Sequence, residues 1–94
     1  MKVIWAPSAR RDLIEIADFI SETNPMAAMA VLDRLGGAAE NLAAFPTVGR
    51  RGRKVGTREL FVSDLPYVLI YRPSGEHVEI IRALHTARSR PDRL

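Results

Sequence analysis

Residues 57–85 read TRELFVSDLPYVLIYRPSGEHVEIIRALH, and this stretch decides the fold. Two turn sequences, Asp64–Pro66 and Pro73–Glu76, divide it into three runs of alternating and β-branched or aromatic residues. The runs cover residues 58–63, 67–72 and 77–84. Because turns this short join antiparallel neighbours, the stretch predicts a three-stranded antiparallel sheet.

An edge strand and an amphipathic helix precede this sheet. Lys2–Trp5 is short and rich in β-branched and aromatic residues, which is typical of an edge strand. Ser8 is a favourable N-cap for the helix, which should end near Glu22. The apolar residues that share one helical face are Leu13, Ile16, Ala17 and Ile20.

A second helix follows almost at once. Asn24 can cap it, and Pro25 is well tolerated at a first helical position. Its apolar stripe consists of Ala28, Val31, Leu35, Ala38, Leu42 and Phe45. The helical hairpin can cover one face of the sheet and leaves the other face, or part of it, open. The predicted class is α+β in the order β-α-α-β-β-β, with an antiparallel sheet packed on an N-terminal helical hairpin.

Composition restricts the class of protein further. The 94 residues, 47% of them hydrophobic, suffice for one core but not for two, so we expect a single domain over residues 1–94. The absence of Cys excludes disulfides and thiolate metal sites. No signal peptide is evident at the N-terminus, and no apolar run approaches the ~20 residues that cross a bilayer. These observations predict a cytoplasmic protein.

Charge is distributed unevenly along the chain. Residues 1–45 carry four bases and six acids, whereas residues 46–94 carry ten bases and five acids. Five of those bases fall between Arg50 and Arg58, in a Gly-rich segment that leads into the sheet. A positive half attracts nucleic acid or an acidic protein segment, although a soluble basic surface is an equally good interpretation of composition alone.

Several local sequences, in this order, resemble the RelE/ParE superfamily of toxins from type II toxin–antitoxin systems, and its ParE branch in particular. The similar segments are Trp5–Ala9, Phe45-Pro46, Gly49-Arg50, Gly56–Leu60, Tyr67–Tyr71 and Val78–His85. The resemblance implies a RelE/ParE-like fold and a cytoplasmic toxin neutralised by a cognate, ParD-like antitoxin. It also implies one of two targets, because ParE-type toxins poison DNA gyrase and RelE-type toxins cut mRNA on the ribosome. A non-toxic, antitoxin-binding module is a third alternative.

Ribonuclease chemistry would need a base, an acid and cations around a phosphate. Arg58, Arg82 and Lys54 are the candidate cations and His85 the candidate acid or base. Pairing with Glu59, Glu79 or Asp64 on neighbouring strands would instead make the arginines structural. Two observations weaken the ribonuclease interpretation. Residues 82 and 85 have opposite parity on a regular strand, and no Tyr follows Tyr71, whereas catalytic relatives commonly carry Tyr or further His near the last strand.

The leading hypothesis from the sequence is therefore gyrase inhibition by binding rather than by catalysis. The residues predicted to contact the partner are the bases of the loop and the tail: Arg50, Arg51, Arg53, Lys54, Arg88 and Arg90. Tyr67 and Tyr71 are predicted to be core residues. No nucleotide fingerprint or His–carboxylate metal spacing is present, so no cofactor and no metal are expected.

Overall fold

The computed structural model describes residues 1–87, which form two helices and one five-stranded sheet. The elements are β1 (Lys2–Trp5), α1 (Pro7–Ser21), α2 (Pro25–Ala44), β2 (Arg50–Arg51), β3 (Arg58–Phe61), β4 (Tyr67–Ser74) and β5 (His77–His85). The strands lie side by side in the order β1-β5-β4-β3-β2. This arrangement confirms the α+β class, and the antiparallel β3-β4-β5 meander is the one predicted from residues 57–85.

Two features of the sheet were not predicted. The basic segment contributes a short strand, β2, which pairs antiparallel with β3. β1 is an edge strand, as expected, but it pairs in parallel with β5, from Lys2 beside His77 to Trp5 beside Ile80. The β4–β5 turn is also tighter than predicted: β4 continues to Ser74, and Gly75 takes the left-handed conformation that so short a turn requires.

The predicted N-cap is correct for α2 and wrong for α1. Asn24 caps α2 by accepting a hydrogen bond from the Ala27 amide, as predicted. Ser8 is not the N-cap of α1, because the helix already begins at Pro7 and Ala6 occupies the cap position without a side-chain hydrogen bond. The Ser8 hydroxyl instead donates to the carbonyl of Ile81 on β5 at 2.6 Å.

Both helices pack on one face of the sheet and enclose the main core. Leu35 and Leu42 of α2 are fully buried there against Leu69, Tyr71 and Ile80 of the sheet. Tyr67 also belongs to this core, which confirms the prediction for both tyrosines.

The opposite face of the sheet is closed at its centre. Val68, Ile70 and Leu84 form a second apolar cluster there, and each is less than 5% exposed. The register places larger side chains beside them, with Glu59 and Arg82 flanking Ile70. Cross-strand neighbours are close enough to cover a small apolar group, which accounts for part of this burial.

Candidate functional site

Side chains of α1 seal the edge of β5 where β1 has ended. Asp12 accepts two hydrogen bonds from the Arg82 guanidinium, at 2.8 and 3.1 Å, and a third from the backbone amide of Ala83 at 2.9 Å. Ser8 holds the neighbouring carbonyl of Ile81. We call Ser8, Asp12 and Arg82 the edge clamp. Ser8 and Asp12 bond backbone groups of β5 that a continuing β1 would have satisfied, and Arg82 pairs with Asp12.

The edge clamp depends on a bulge in β5. The register shifts between Ile70 and Tyr71, so that Arg82 lies opposite Ile70 and Ile80 lies opposite Tyr71, which leaves Ile81 as the extra residue. Hydrogen bonding to Asp12 raises the pKa of Arg82, so the guanidinium stays charged inside this pair. The prediction that Arg82 would be free, or paired with an acid on a neighbouring strand, was wrong because its partner comes from α1.

His85 lies near Arg82 but is held differently. Both residues line a small cleft of about 140 Å³ beside α1, together with Asp12 and Glu15. The His85 ring packs edge-on against Tyr67 with the ring centroids 5.3 Å apart, and its Nδ1 accepts a hydrogen bond from the Ala87 amide. The two ribonuclease candidates on β5 thus share a cleft, and Arg82 enters it as the partner of a carboxylate.

Arg58 and Tyr71 hold the segment that connects α2 to β2. The Arg58 guanidinium donates to the carbonyls of Thr47 and Gly49, at 3.3 and 2.8 Å. The buried Tyr71 hydroxyl accepts from the Gly49 amide and donates to the carbonyl of Pro46, both at 2.9 Å. Burial raises the pKa of Tyr71, against smaller lowering effects of the Gly49 amide and of Arg58. Arg58 is therefore neither the free cation nor the cross-strand ion pair that the sequence suggested.

Gly49 fits this segment because it has no side chain. A Cβ at that position would lie 2.7 Å from the Tyr71 hydroxyl and 2.9 Å from the carbonyl oxygen of Glu59, closer than real Cβ contacts allow. The segment is therefore fixed against the sheet at its start.

The far end of the same segment forms a defined turn. The amide and the hydroxyl of Thr57 both bond the carbonyl of Lys54, at 3.1 and 2.6 Å, and the Gly52 amide donates to the carbonyl of Thr57 at 2.8 Å. Gly56 has a φ of +82°, which a residue with a side chain rarely adopts. We call residues 51–57 the basic tip.

Three side chains of the basic tip point away from the rest of the protein. Arg51, Arg53 and Lys54 are exposed, and within residues 1–87 no hydrogen bond or ion pair engages any of them. They border a shallow cleft of about 580 Å³ whose lining includes four bases and no acid: Thr47, Arg51, Gly52, Arg53, Lys54, Val55, Gly56, Thr57, Arg58 and Pro73.

Arg50 differs from these neighbours. It forms an ion pair with Glu59 at 3.3 Å and lies over the Phe61 ring, 4.6 Å from its centroid. Glu59 is only 4% exposed, so Arg50 neutralises a buried carboxylate. Of the six bases predicted to contact a partner, Arg51, Arg53 and Lys54 are thus presented together and Arg50 is held by the sheet. Arg88 and Arg90 lie outside the described residues.

An apolar groove runs between α2 and β3. It has a volume of about 520 Å³, and Phe45, Val48 and Phe61 expose much of their side chains along it. Gly37 contributes to its wall, and a Cβ there would contact nothing within 4 Å. Close packing therefore does not require a glycine at this position. Arg34 closes one end by donating to the carbonyl of Ser63 at 2.5 Å.

Asp12 is the residue that sequence reasoning missed. It lies on the buried stripe of α1, three residues after Ala9 and four before Ile16, which are both buried. A carboxylate at such a position requires a buried partner, and this could have been noticed. Among residues 1–87, no group of three or more His, Asp or Glu could hold a metal ion, and neither helix is long and apolar enough to cross a membrane.

Comparisons with known proteins identify the family. A candidate toxin of Sinorhizobium fredii is 40% identical over 90 residues, which cover 96% of this chain and 93% of the relative. The toxin RelE2 of Caulobacter vibrioides is 39% identical over 87 residues, 93% of this chain and 97% of the relative. A structure of the chromosomal ParDE system of P. aeruginosa has the same fold, with a TM-score of 0.80 at 24% identity over 90% of this chain and 95% of that one. The profile of the family described as "ParE toxin of type II toxin-antitoxin system, parDE" matches residues 3–90, so the chain belongs to the ParE toxins of type II toxin–antitoxin systems.

Proposed function

We propose that this toxin inhibits DNA gyrase, a type II topoisomerase, by binding it, and that a cognate ParD-like antitoxin neutralises it. The observation that carries the proposal is the state of Arg82. A phosphate-cutting site needs this cation for developing charge on the phosphate, but Asp12 already binds it through two hydrogen bonds. The other strand cation, Arg58, is engaged by two backbone carbonyls. The match to the ParE family supports the same choice of target.

A ribosome-dependent endoribonuclease is the second candidate function. Two observations favour it: Arg82 and His85 line one cleft, and two Caulobacter relatives are named RelE2 and RelE3. In this alternative His85 would transfer the proton and Arg82 would have to leave Asp12. Its departure would leave the buried Asp12 carboxylate without its charged partner, which is costly.

The antitoxin would dock in the apolar groove between α2 and β3. Phe45 is 65% exposed and Phe61 44% exposed there, and clusters of exposed aromatic side chains are typical of protein interfaces. The backbone edge of β3 at Leu60 and Phe61 extends beyond β2, which pairs only with Arg58 and Glu59. An apolar antitoxin segment would fill the groove and could pair with this edge. We place the toxin in the cytoplasm, where both proposed targets work.

A supercoiling assay tests the proposal. Purified, antitoxin-free toxin is titrated into DNA gyrase with relaxed plasmid, and we expect supercoiling to stop or cleaved DNA to accumulate. Full supercoiling at saturating, folded toxin would contradict the proposal.

A parallel translation assay separates the alternatives. If mRNA on toxin-treated ribosomes is cut, and a His85→Gln variant abolishes the cutting, the endoribonuclease is the correct function. Unimpaired growth of cells that express the chain without its antitoxin would favour the third alternative, a non-toxic binding module.

A further inference from the structure

The basic tip concentrates positive charge that the fold leaves uncompensated. Arg51 lies directly opposite Arg58 in the β2–β3 register, and like charges in directly opposed positions destabilise a sheet. The next pair along, Arg50 and Glu59, has opposite charges and forms an ion pair. The β2–β3 hairpin thus pairs Arg50 with a buried carboxylate, whereas Arg51 faces another base and has no carboxylate partner.

An arginine from a neighbouring strand, Arg72 of β4, adds to this positive charge. The Nε of Arg72 on β4 lies 3.8 Å from where a Cβ on Gly56 would be, so its guanidinium borders the basic tip. The cleft beside the tip is lined by four bases and no acid. The turn beneath is held by three hydrogen bonds, so the bases project from a preorganised support and not from a flexible coil.

We propose that the basic tip binds the phosphodiester backbone of double-stranded DNA, through Arg51, Arg53 and Lys54. Protein–protein interfaces deplete charged residues at their centre, whereas interfaces with DNA are polar and strongly positive. The tip, with no acid in its cleft, has the second character. The groove between α2 and β3 instead exposes Phe45 and Phe61, and its lining balances one base, Arg34, with one acid, Asp33. These two surfaces would therefore serve partners of different chemistry.

Contacts between these bases and the DNA backbone do not distinguish one base sequence of the DNA from another. The tip offers guanidinium and ammonium groups, which bind phosphate oxygens of any sequence. In the context of the proposed function, on which this inference rests, the DNA is the duplex that the topoisomerase holds. The toxin would then recognise the enzyme–DNA complex in preference to the enzyme alone.

Fluorescence anisotropy with a short labelled DNA duplex tests the inference without any topoisomerase. With three phosphate contacts, the logarithm of the binding constant should fall with the logarithm of salt concentration at a slope of about −2.7 between about 50 and 200 mM salt. The Arg53→Gln/Lys54→Gln variant, called the tip variant below, should reduce that slope by about 1.8 and weaken binding roughly 10- to 60-fold near 0.1 M salt.

The matched control is Arg10→Gln/Arg11→Gln, called the helix control, which removes the same charge from two exposed positions of α1. It should bind DNA with the slope of the unmodified toxin. Equal losses in both variants would show a nonspecific effect of net charge and would overturn the site, as would a tip variant that binds like the unmodified chain.

Two further probes test the choice of partner. An RNA duplex of the same sequence that binds more than tenfold tighter than DNA, or polyglutamate whose binding depends more strongly on the tip, would overturn the assignment to DNA. Because gyrase is absent, DNA binding without gyrase inhibition would refute only the proposed function, and gyrase inhibition without DNA binding would refute only this inference.

Discussion

The edge of β5 and the basic tip both depend on arginine, and they use it in opposite ways. At the β5 edge, Arg82 is fixed by a carboxylate from a helix 70 residues away in sequence. At the tip, Arg51 and Arg53 project from a tight turn with no acid among the cleft residues. In this fold an arginine is held or left exposed according to the partners that tertiary packing brings to it, and the sequence around it does not reveal which.

The largest effect on stability is expected for the Asp12→Ala variant. It leaves the Arg82 charge and the Ala83 amide without their acceptor, so the free energy of unfolding should fall by about 3 kcal/mol. Urea unfolding followed by circular dichroism measures this change. An Asp18→Ala variant, at an exposed position of the same helix, should stay within about 0.5 kcal/mol of the unmodified protein. Equal stability of both variants would remove the edge clamp from the account.

A smaller effect is expected where the connecting segment meets the sheet. Tyr71→Phe removes the acceptor of the buried Gly49 amide and the donor to Pro46, so it should cost about 1–2 kcal/mol. Hydrogen exchange should show a loss of protection at Gly49 in particular. Unchanged protection there would mean that Tyr71 does not hold the segment.

The same tyrosine predicts a pH dependence. Burial raises the pKa of Tyr71 above its usual value of 10.0, so the unfolded chain loses this proton at a lower pH than the folded chain. The stabilising contribution is complete below pH 10 and is lost as the pH rises toward the folded-state pKa, with a limiting slope of about 1.4 kcal/mol per pH unit. Lysines titrate in the same range, so the test is the difference between the unmodified chain and Tyr71→Phe, measured from pH 9 upward. A difference that does not change with pH would refute the assignment.

The smallest effect on stability is expected at the basic tip. The tip variant should change the free energy of unfolding by no more than about 0.5 kcal/mol, because the side chains of Arg53 and Lys54 are exposed and form no hydrogen bond or ion pair within the described residues. Thermal unfolding of the tip variant, compared with that of the helix control, measures this change in free energy. A loss above about 1 kcal/mol would show that the tip is structural, and the contrast between the two regions would fail.

Much of the fold could be predicted from local patterns. Apolar alternation in residues 57–85 and the two short turns gave the β3-β4-β5 meander, and the apolar stripes gave both helices. The parallel pairing of Lys2–Trp5 with β5 and the bulge at Ile81 were not predictable in this way, since both arise from contacts between distant parts of the chain.

The candidate site likewise has one part that could be predicted from local sequence and one that could not. The basic tip was visible in the sequence because its charges lie within four residues of one another, and the structure keeps Arg51, Arg53 and Lys54 together at one surface. The engagement of Arg82 was not visible, because it depends on where α1 crosses the end of β1 and on which of its residues then faces Ala83. Parity along β5 was correct in that Arg82 lies opposite Ile70 and His85 opposite Tyr67, on different faces of the sheet. It could not show that both residues nevertheless line one cleft, nor identify Asp12.

The most direct test of the account is one supercoiling titration of DNA gyrase with three proteins: the unmodified toxin, the tip variant and the helix control. The account predicts that the unmodified toxin and the helix control inhibit supercoiling at similar concentrations, and that the tip variant, equally stable, needs roughly tenfold more or beyond. Equal potency of all three proteins would contradict the role of the basic tip, and absence of inhibition by the unmodified toxin would contradict the proposed function itself.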